Sequence, residues 1–122
     1  MSLQLTASET ARFVEGRPSG SLMRHAGDAT LVIEACYSAG VTAALLYSQN
    51  LTDGFFDLST REAGEILQKL RTYRIRIAVV CVPGTVRVST MFNEMAAEES
   101  RAGYFRLFES ADAARDWLNS LA

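Results

Sequence analysis

The stretch from Asp53 to Val82, DGFFDLSTREAGEILQKLRTYRIRIAVVCV, decides the fold. It reads as an aromatic-bearing loop, a capped amphipathic helix, a short turn and a buried strand. Ala63, Ile66, Leu67 and Leu70 recur at helical spacing, and Tyr73 extends that face. Glu62, Glu65, Lys69 and Arg71 lie outside it, with Glu65 and Lys69 an i,i+4 pair in the favourable order. Ser59 or Thr60 supplies the N-cap. Gly64 stands mid-helix, where it costs about 1 kcal/mol relative to alanine, and a small residue there would let the helix approach the sheet closely. Ile75 to Val82 follows as a buried strand interrupted by Arg76, and Pro83-Gly84 turns the chain. A helix running directly into a continuous apolar strand is the unit of a layered α/β domain.

The flanks repeat that unit. Val41 to Tyr47 is a continuous apolar run bounded by Gly40 and Ser48-Gln49-Asn50, as expected of a central parallel strand covered on both faces. Before it, Asp28 is placed to cap a helix running to about Ala39. Ala29, Val32, Ile33 and Cys36 form its stripe, widened by Leu31, Ala35 and Tyr37, so burial on most sides is expected. Gly40 suits the C′ position. After the central unit, Val88, Met91, Phe92, Met95 and Ala96 mark a third helix, stopped by Gly103. Tyr104 to Phe108 is a strand, and Ser110 caps a last helix whose inner face is Ala114, Trp117, Leu118 and Leu121. Near the N-terminus, Leu3 and Leu5, then Phe13 and Val14, read as two short strands joined by a turn near Ser8-Glu9. Gly16 to Asp28 carries clustered Gly, Pro and Ser and reads as a surface connection, with a brief extended piece at Ser21 to Met23. The order is β-β-α-β-α-β-α-β-α. An N-terminal antiparallel hairpin followed by parallel βα units is therefore expected, in one α/β domain spanning residues 1–122.

Composition bounds the function. The 122 residues carry 12 basic and 14 acidic side chains for a net charge of −2, a balance that argues against a dedicated nucleic-acid binder and against docking on anionic membranes. No apolar run approaches the ~18 residues of a membrane span, and residues 1–13 show no secretory pattern. Cys36 and Cys81 sit in apolar segments, as expected of reduced, buried thiols in a cytoplasmic protein. His25 is the only histidine and no Cys-x-x-Cys occurs, so neither a transition-metal site nor catalysis by His25 is expected. Phosphate-cradling glycine motifs are missing, and no cofactor is expected. Arg71, Arg74 and Arg76 cluster around Tyr73 as the best candidate for a basic spot, with solvated stems at a core edge as the simpler account.

The connection from Ser48 to Ser59 is the candidate site, since links of its kind usually run about 2–6 residues. It holds Asn50, Asp53, Asp57, Ser59 and, at its end, Thr60. In open parallel sheets ligands bind beyond the carboxyl ends of strands, and a helix N-terminus favours anions. The competing account makes Asp57, Ser59 and Thr60 caps and turn formers. Phe55 and Phe56 are adjacent, so an extended backbone would point one of them away from the core, as a lid or partner contact. The simpler account makes the pair a plug over the open end of the core.

The block from Asn50 to Val80 also resembles the hallmark stretch of a bacterial family catalogued as domain of unknown function 4180. The matching residues are Asn50-Leu51, Phe55-Phe56-Asp57-Leu58, Thr60 and Ala63-Gly64-Glu65-Ile66-Leu67-Gln68-Lys69, followed by the basic-aromatic turn and strand. The C-terminal helix with Trp117-Leu118 fits as well. The layout is similar to the STAS-like fold of anti-sigma-factor antagonists. There, a serine at a helix start is phosphorylated to switch partner binding. The resemblance implies Ser59 or Thr60 as the corresponding position, although the D-S-x-G signature is absent.

Two functions are expected from these features. One is a non-catalytic regulatory or protein-interaction domain, a homo-oligomer or partner binder, presenting the 48–60 loop through Asn50, Phe55, Phe56, Asp57, Ser59 and Thr60. The other is a binder of a small anionic metabolite, or an enzyme, using the crevice at the strand ends with Asn50, Asp57 and Thr85.

Overall fold

Alternation along the strands sets the layers. In the central strand, Ala44 and Leu46 point to one side while Ala43, Leu45 and Tyr47 point to the other; in the next, Ile77 and Val79 oppose Ala78 and Val80. The computed structural model of the protein describes residues 5–6, 13–16, 23, 25–51, 55–56, 61–81 and 90–120. The elements are β1 (Leu5–Thr6), β2 (Val14–Gly16), α1 (Ala29–Ala39), β3 (Ala43–Tyr47), α2 (Glu62–Thr72), β4 (Arg76–Val80), α3 (Thr90–Ala102), β5 (Phe105–Phe108) and α4 (Ala111–Ser120). Single turns of 3-10 helix at Ala26–Asp28 and Ser48–Asn50 lie before α1 and after β3.

The strands lie in the order β1-β2-β3-β4-β5. β2 to β5 are mutually parallel, in registers such as Val14 beside Ala44, Leu45 beside Ala78 and Val79 beside Leu107. β1 meets β2 at two positions, Leu5 opposite Gly16 and Thr6 opposite Glu15, running antiparallel. The turn expected near Ser8-Glu9 lies outside the described residues.

Helices α1, α2 and α3 bury Ala29, Val32, Cys36, Ala63, Ile66, Leu67, Leu70, Phe92 and Ala96 on one face of the sheet. Among the described residues, α4 covers the other, through Ala114 and Leu118 on Phe13, Leu45, Ala78 and Val80, with Trp117 and Phe108 half-buried. Among the described residues no helix is long and apolar enough to cross a membrane.

Several local expectations are corrected. α1 is not buried on most sides: it buries only Ala29, Val32 and Cys36, and Tyr37 is 88% exposed. Asp28 does not cap α1; it is itself helical, and its carboxylate faces His25 Nε2 at 3.5 Å. Tyr73 does not extend the α2 face and is 58% exposed. Met23, expected in a surface connection, is core. Gly40 closes α1 as expected, in the left-handed conformation (φ 70°), with its N–H directed to the carbonyls of Cys36 and Tyr37. Ser110 Oγ accepts from the Ala113 N–H at 3.2 Å, the expected cap of α4.

Candidate functional site

The connection leaving β3 begins in the interior. Asn50 is a fully buried polar residue at the carboxyl edge of the sheet between β2 and β3. Its Oδ1 accepts from the Tyr47 N–H at 2.8 Å, and its backbone carbonyl accepts from the Met23 N–H at 2.9 Å. Gly16, the last residue of β2, packs so closely that a Cβ there would lie 2.2 Å from Asn50 Oδ1. Asn50 therefore ties the end of β2, the end of β3 and the segment around Met23 into one knot. A buried amide satisfied in this way holds structure, because freeing it for a ligand would strand the polar groups it serves.

The aromatic pair is also interior. Phe55 is fully buried and Phe56 nearly so. Their rings meet edge to face with centroids 5.0 Å apart, and Phe55 reaches Phe92 at 5.8 Å and Phe105 at 6.1 Å. The pair therefore fits the plug account and not the lid account: both backbone positions lie in a turn, where the side alternation of a regular strand does not apply. Asp53, Asp57, Ser59, Thr60 and Thr85 lie outside the described residues. Arg61, in the left-handed conformation (φ 62°), occupies the position before α2 and makes no side-chain cap bond.

Sheet order bears on the expected crevice. Ligand clefts in open parallel sheets form where the strand order reverses and successive helices part to opposite faces. From β2 to β5 the order is sequential, and α1, α2 and α3 all lie on one face. No reversal occurs within that run, and its β2–β3 edge is filled by Asn50.

Two further clusters join distant elements. Arg115 on α4 grips Glu15 on β2 with two bonds, Nε to Oε1 at 3.0 Å and Nη2 to Oε2 at 2.8 Å, and reaches Asp112 at 3.1 Å. The bond to Glu15 holds the guanidinium proton more firmly than usual, while burial, then the Glu15 charge, push the Tyr47 phenol up. At the opposite end of the strands, Arg71 pairs with Glu99, and the guanidinium carbons of Arg71 and Arg76 lie 5.6 and 5.5 Å from the Tyr104 ring centroid. The basic cluster is thus organised by Tyr104 rather than Tyr73.

Burial pushes the thiols of Cys36 and Cys81 up to about 11, so neither is held as a thiolate nucleophile. The two are free, and Cys36 Sγ contacts the Ala43 carbonyl at 3.5 Å. Among the described residues no group of three or more His, Cys, Asp or Glu could hold a metal ion.

A groove of about 500 Å³ runs between α2 and α3, lined by Gly64, Leu67, Gln68, Arg71, Met95 and Glu99, with Thr72 at one end. Gly64 is exposed, and a Cβ built on it would meet nothing within 4 Å. The expected close approach of Gly64 to the sheet is therefore corrected. With Ala63, Ile66, Leu67 and Leu70 buried, the 100° step of the helix already puts position 64 about 110° from the centre of the buried stripe, on a flank of the helix, a signal the sequence carried. The Glu15–Arg115 grip had no such signal, since it joins residues a hundred positions apart.

The family described as "Domain of unknown function (DUF4180)" matches residues 8–118. No curated protein and no solved structure was found to match the chain.

Proposed function

We propose a function for a chain that belongs to the DUF4180 family: it is a non-catalytic, regulatory protein-interaction domain of STAS-like type. The observation that carries this is the outward face of α2. A glycine on an exposed helical face forgoes helix stability that alanine would supply, and Gly64, the third residue of α2, is exposed, with nothing among the described residues within 4 Å of a Cβ built on it to call for glycine. Close approach of another backbone is the physical use of such a site. The groove beside it, with Leu67 and Met95 among polar walls, suits protein side chains.

The sequential strand order also favours an interaction role over an anionic ligand in a crevice. Asn50, Phe55 and Phe56, expected to face a partner, instead anchor the 48–60 connection. On this account they act indirectly, by fixing the approach to α2. The connection's own candidate contacts remain Asp57, Ser59 and Thr60, and phosphorylation of Ser59 or Thr60 would add charge just before α2.

The test is capture from native extract with wild-type bait and with a Gly64→Gln bait. The account expects the variant to keep its circular dichroism and lose the specific partner. Equal capture by both baits would refute a role for the α2 face. A library metabolite that raised the melting temperature of both baits would favour the ligand alternative.

A further inference from the structure

We infer that the α2 face pairs with a second copy of this chain, laid antiparallel across it. This rests on the interaction function above and names its partner. The argument is charge complementarity along one helix. α2 carries Glu62 and Glu65 in its first turn and Lys69 and Arg71 in its last. Such a helix repels a parallel copy and attracts a reversed one, and the reversed arrangement also opposes the two helix dipoles. A two-fold axis makes the contact isologous, so every pairing occurs twice.

An axis passing level with Leu67 puts Glu65 and Lys69 two residues to either side of it. At about 1.5 Å rise per residue, Glu65 of one copy then stands level with Lys69 of the other, and reciprocally. Glu65 is exposed and Lys69 half-exposed, so both are available from the monomer surface. Arg71 need not leave Glu99 to make room, because the pairing uses the other flank of the helix. The same axis brings the Gln68–Thr72 turn of one copy over Gly64 of the other. The missing Cβ gives that turn space, and the groove floored by Leu67 and Met95 receives its side chains. A contact of one helix per copy is small, so the dimer forms and dissociates with concentration rather than being obligate.

The test is sedimentation equilibrium from low micromolar to near-millimolar concentration. Wild type is expected to shift reversibly from monomer to dimer. Glu65→Lys and Lys69→Glu each place like charges opposite one another at two symmetric sites, and each is expected to weaken association by about tenfold or more. An equimolar mixture of the two single variants restores attraction at both sites and is expected to form a heterodimer. The Glu65→Lys, Lys69→Glu double variant is expected to self-associate again. Wild type that stays monomeric throughout would overturn the pairing, as would single reversals without effect or a mixture that fails to associate. If wild type stays monomeric while Gly64→Gln still abolishes capture of a different protein, self-pairing is wrong and the interaction function stands. If Gly64→Gln captures everything wild type does, the interaction function fails.

Discussion

Gly16→Ala is the sharpest perturbation of the knot around Asn50 at the end of β3. The new methyl would lie 2.2 Å from Asn50 Oδ1, 3.0 Å from its Cγ and 3.4 Å from Leu46 Cδ2. Gly16 does not have a positive φ, so space and not backbone conformation makes glycine necessary there. Two costs follow. Crowding a packed interior costs about 1–3 kcal/mol. Displacing the Asn50 amide breaks its bond with the Tyr47 N–H, and stranding a buried polar group costs about 1–3 kcal/mol more. Against this, alanine recovers about 0.5–1 kcal/mol of backbone entropy in a strand. The net expectation is a loss of about 1–5 kcal/mol, a large part of the roughly 5–15 kcal/mol of an ordinary domain. Urea unfolding followed by circular dichroism measures it, and a double-mutant cycle identifies the cause. Asn50→Ala alone should cost about 1–3 kcal/mol. Once Asn50 is truncated, Gly16→Ala should cost under about 1 kcal/mol, since the clashing atoms are gone. A loss below about 1 kcal/mol in the wild-type background, or equal losses in both backgrounds, would refute the knot.

Other outcomes follow from the same geometry. Phe55→Ala removes the ring that touches Phe56, Phe92 and Phe105 and should cost about 3–5 kcal/mol; a loss under about 1 kcal/mol in urea unfolding would mean the ring is not core. Arg115→Ala breaks the half-exposed grip on Glu15 and should cost only about 1 kcal/mol or less, shrinking at high salt, with faster amide exchange in α4 as the local sign. Cys36 has a folded pKa of about 11 against an ordinary 9.0, so its protonated thiol contributes stability below pH 9.0 that is lost as pH rises through about 11. Native Cys36 should therefore resist iodoacetamide at neutral pH and react freely once unfolded; rapid native alkylation would contradict its burial.

The apolar runs that became β3 and β4 were legible because strands covered on both faces need few polar positions. The inner faces of α2 and α4 were legible because helical spacing reports burial directly. What local pattern could not supply was the arrangement between segments. Nothing near Asn50 in the chain indicates that Gly16 closes over it, and buried asparagine is rare enough that an exposed position was the natural expectation. For Phe55 and Phe56 the side rule for extended chain offers a lid or partner contact, but it does not apply in a turn, and the burial of both rings fits the simpler plug account. The expected crevice rests on the connection starting at a strand carboxyl end; whether the strand order reverses there is not local information, and these four parallel strands run in sequence. Tyr37 was assigned to a buried helix by its apolarity, although α1 needs only one stripe to cover its share of the sheet.

Cross-linking through position 68 tests the central claim, that the exposed face of α2 is where this domain meets another copy. Gln68 lies one residue from the inferred two-fold axis, so Gln68→Cys should form an intermolecular disulfide rapidly under mild oxidation. Tyr37→Cys, equally open to solvent on α1, should do so only at the slow rate of chance collision. Equal rates for the two variants, or faster linkage through position 37, would contradict the account.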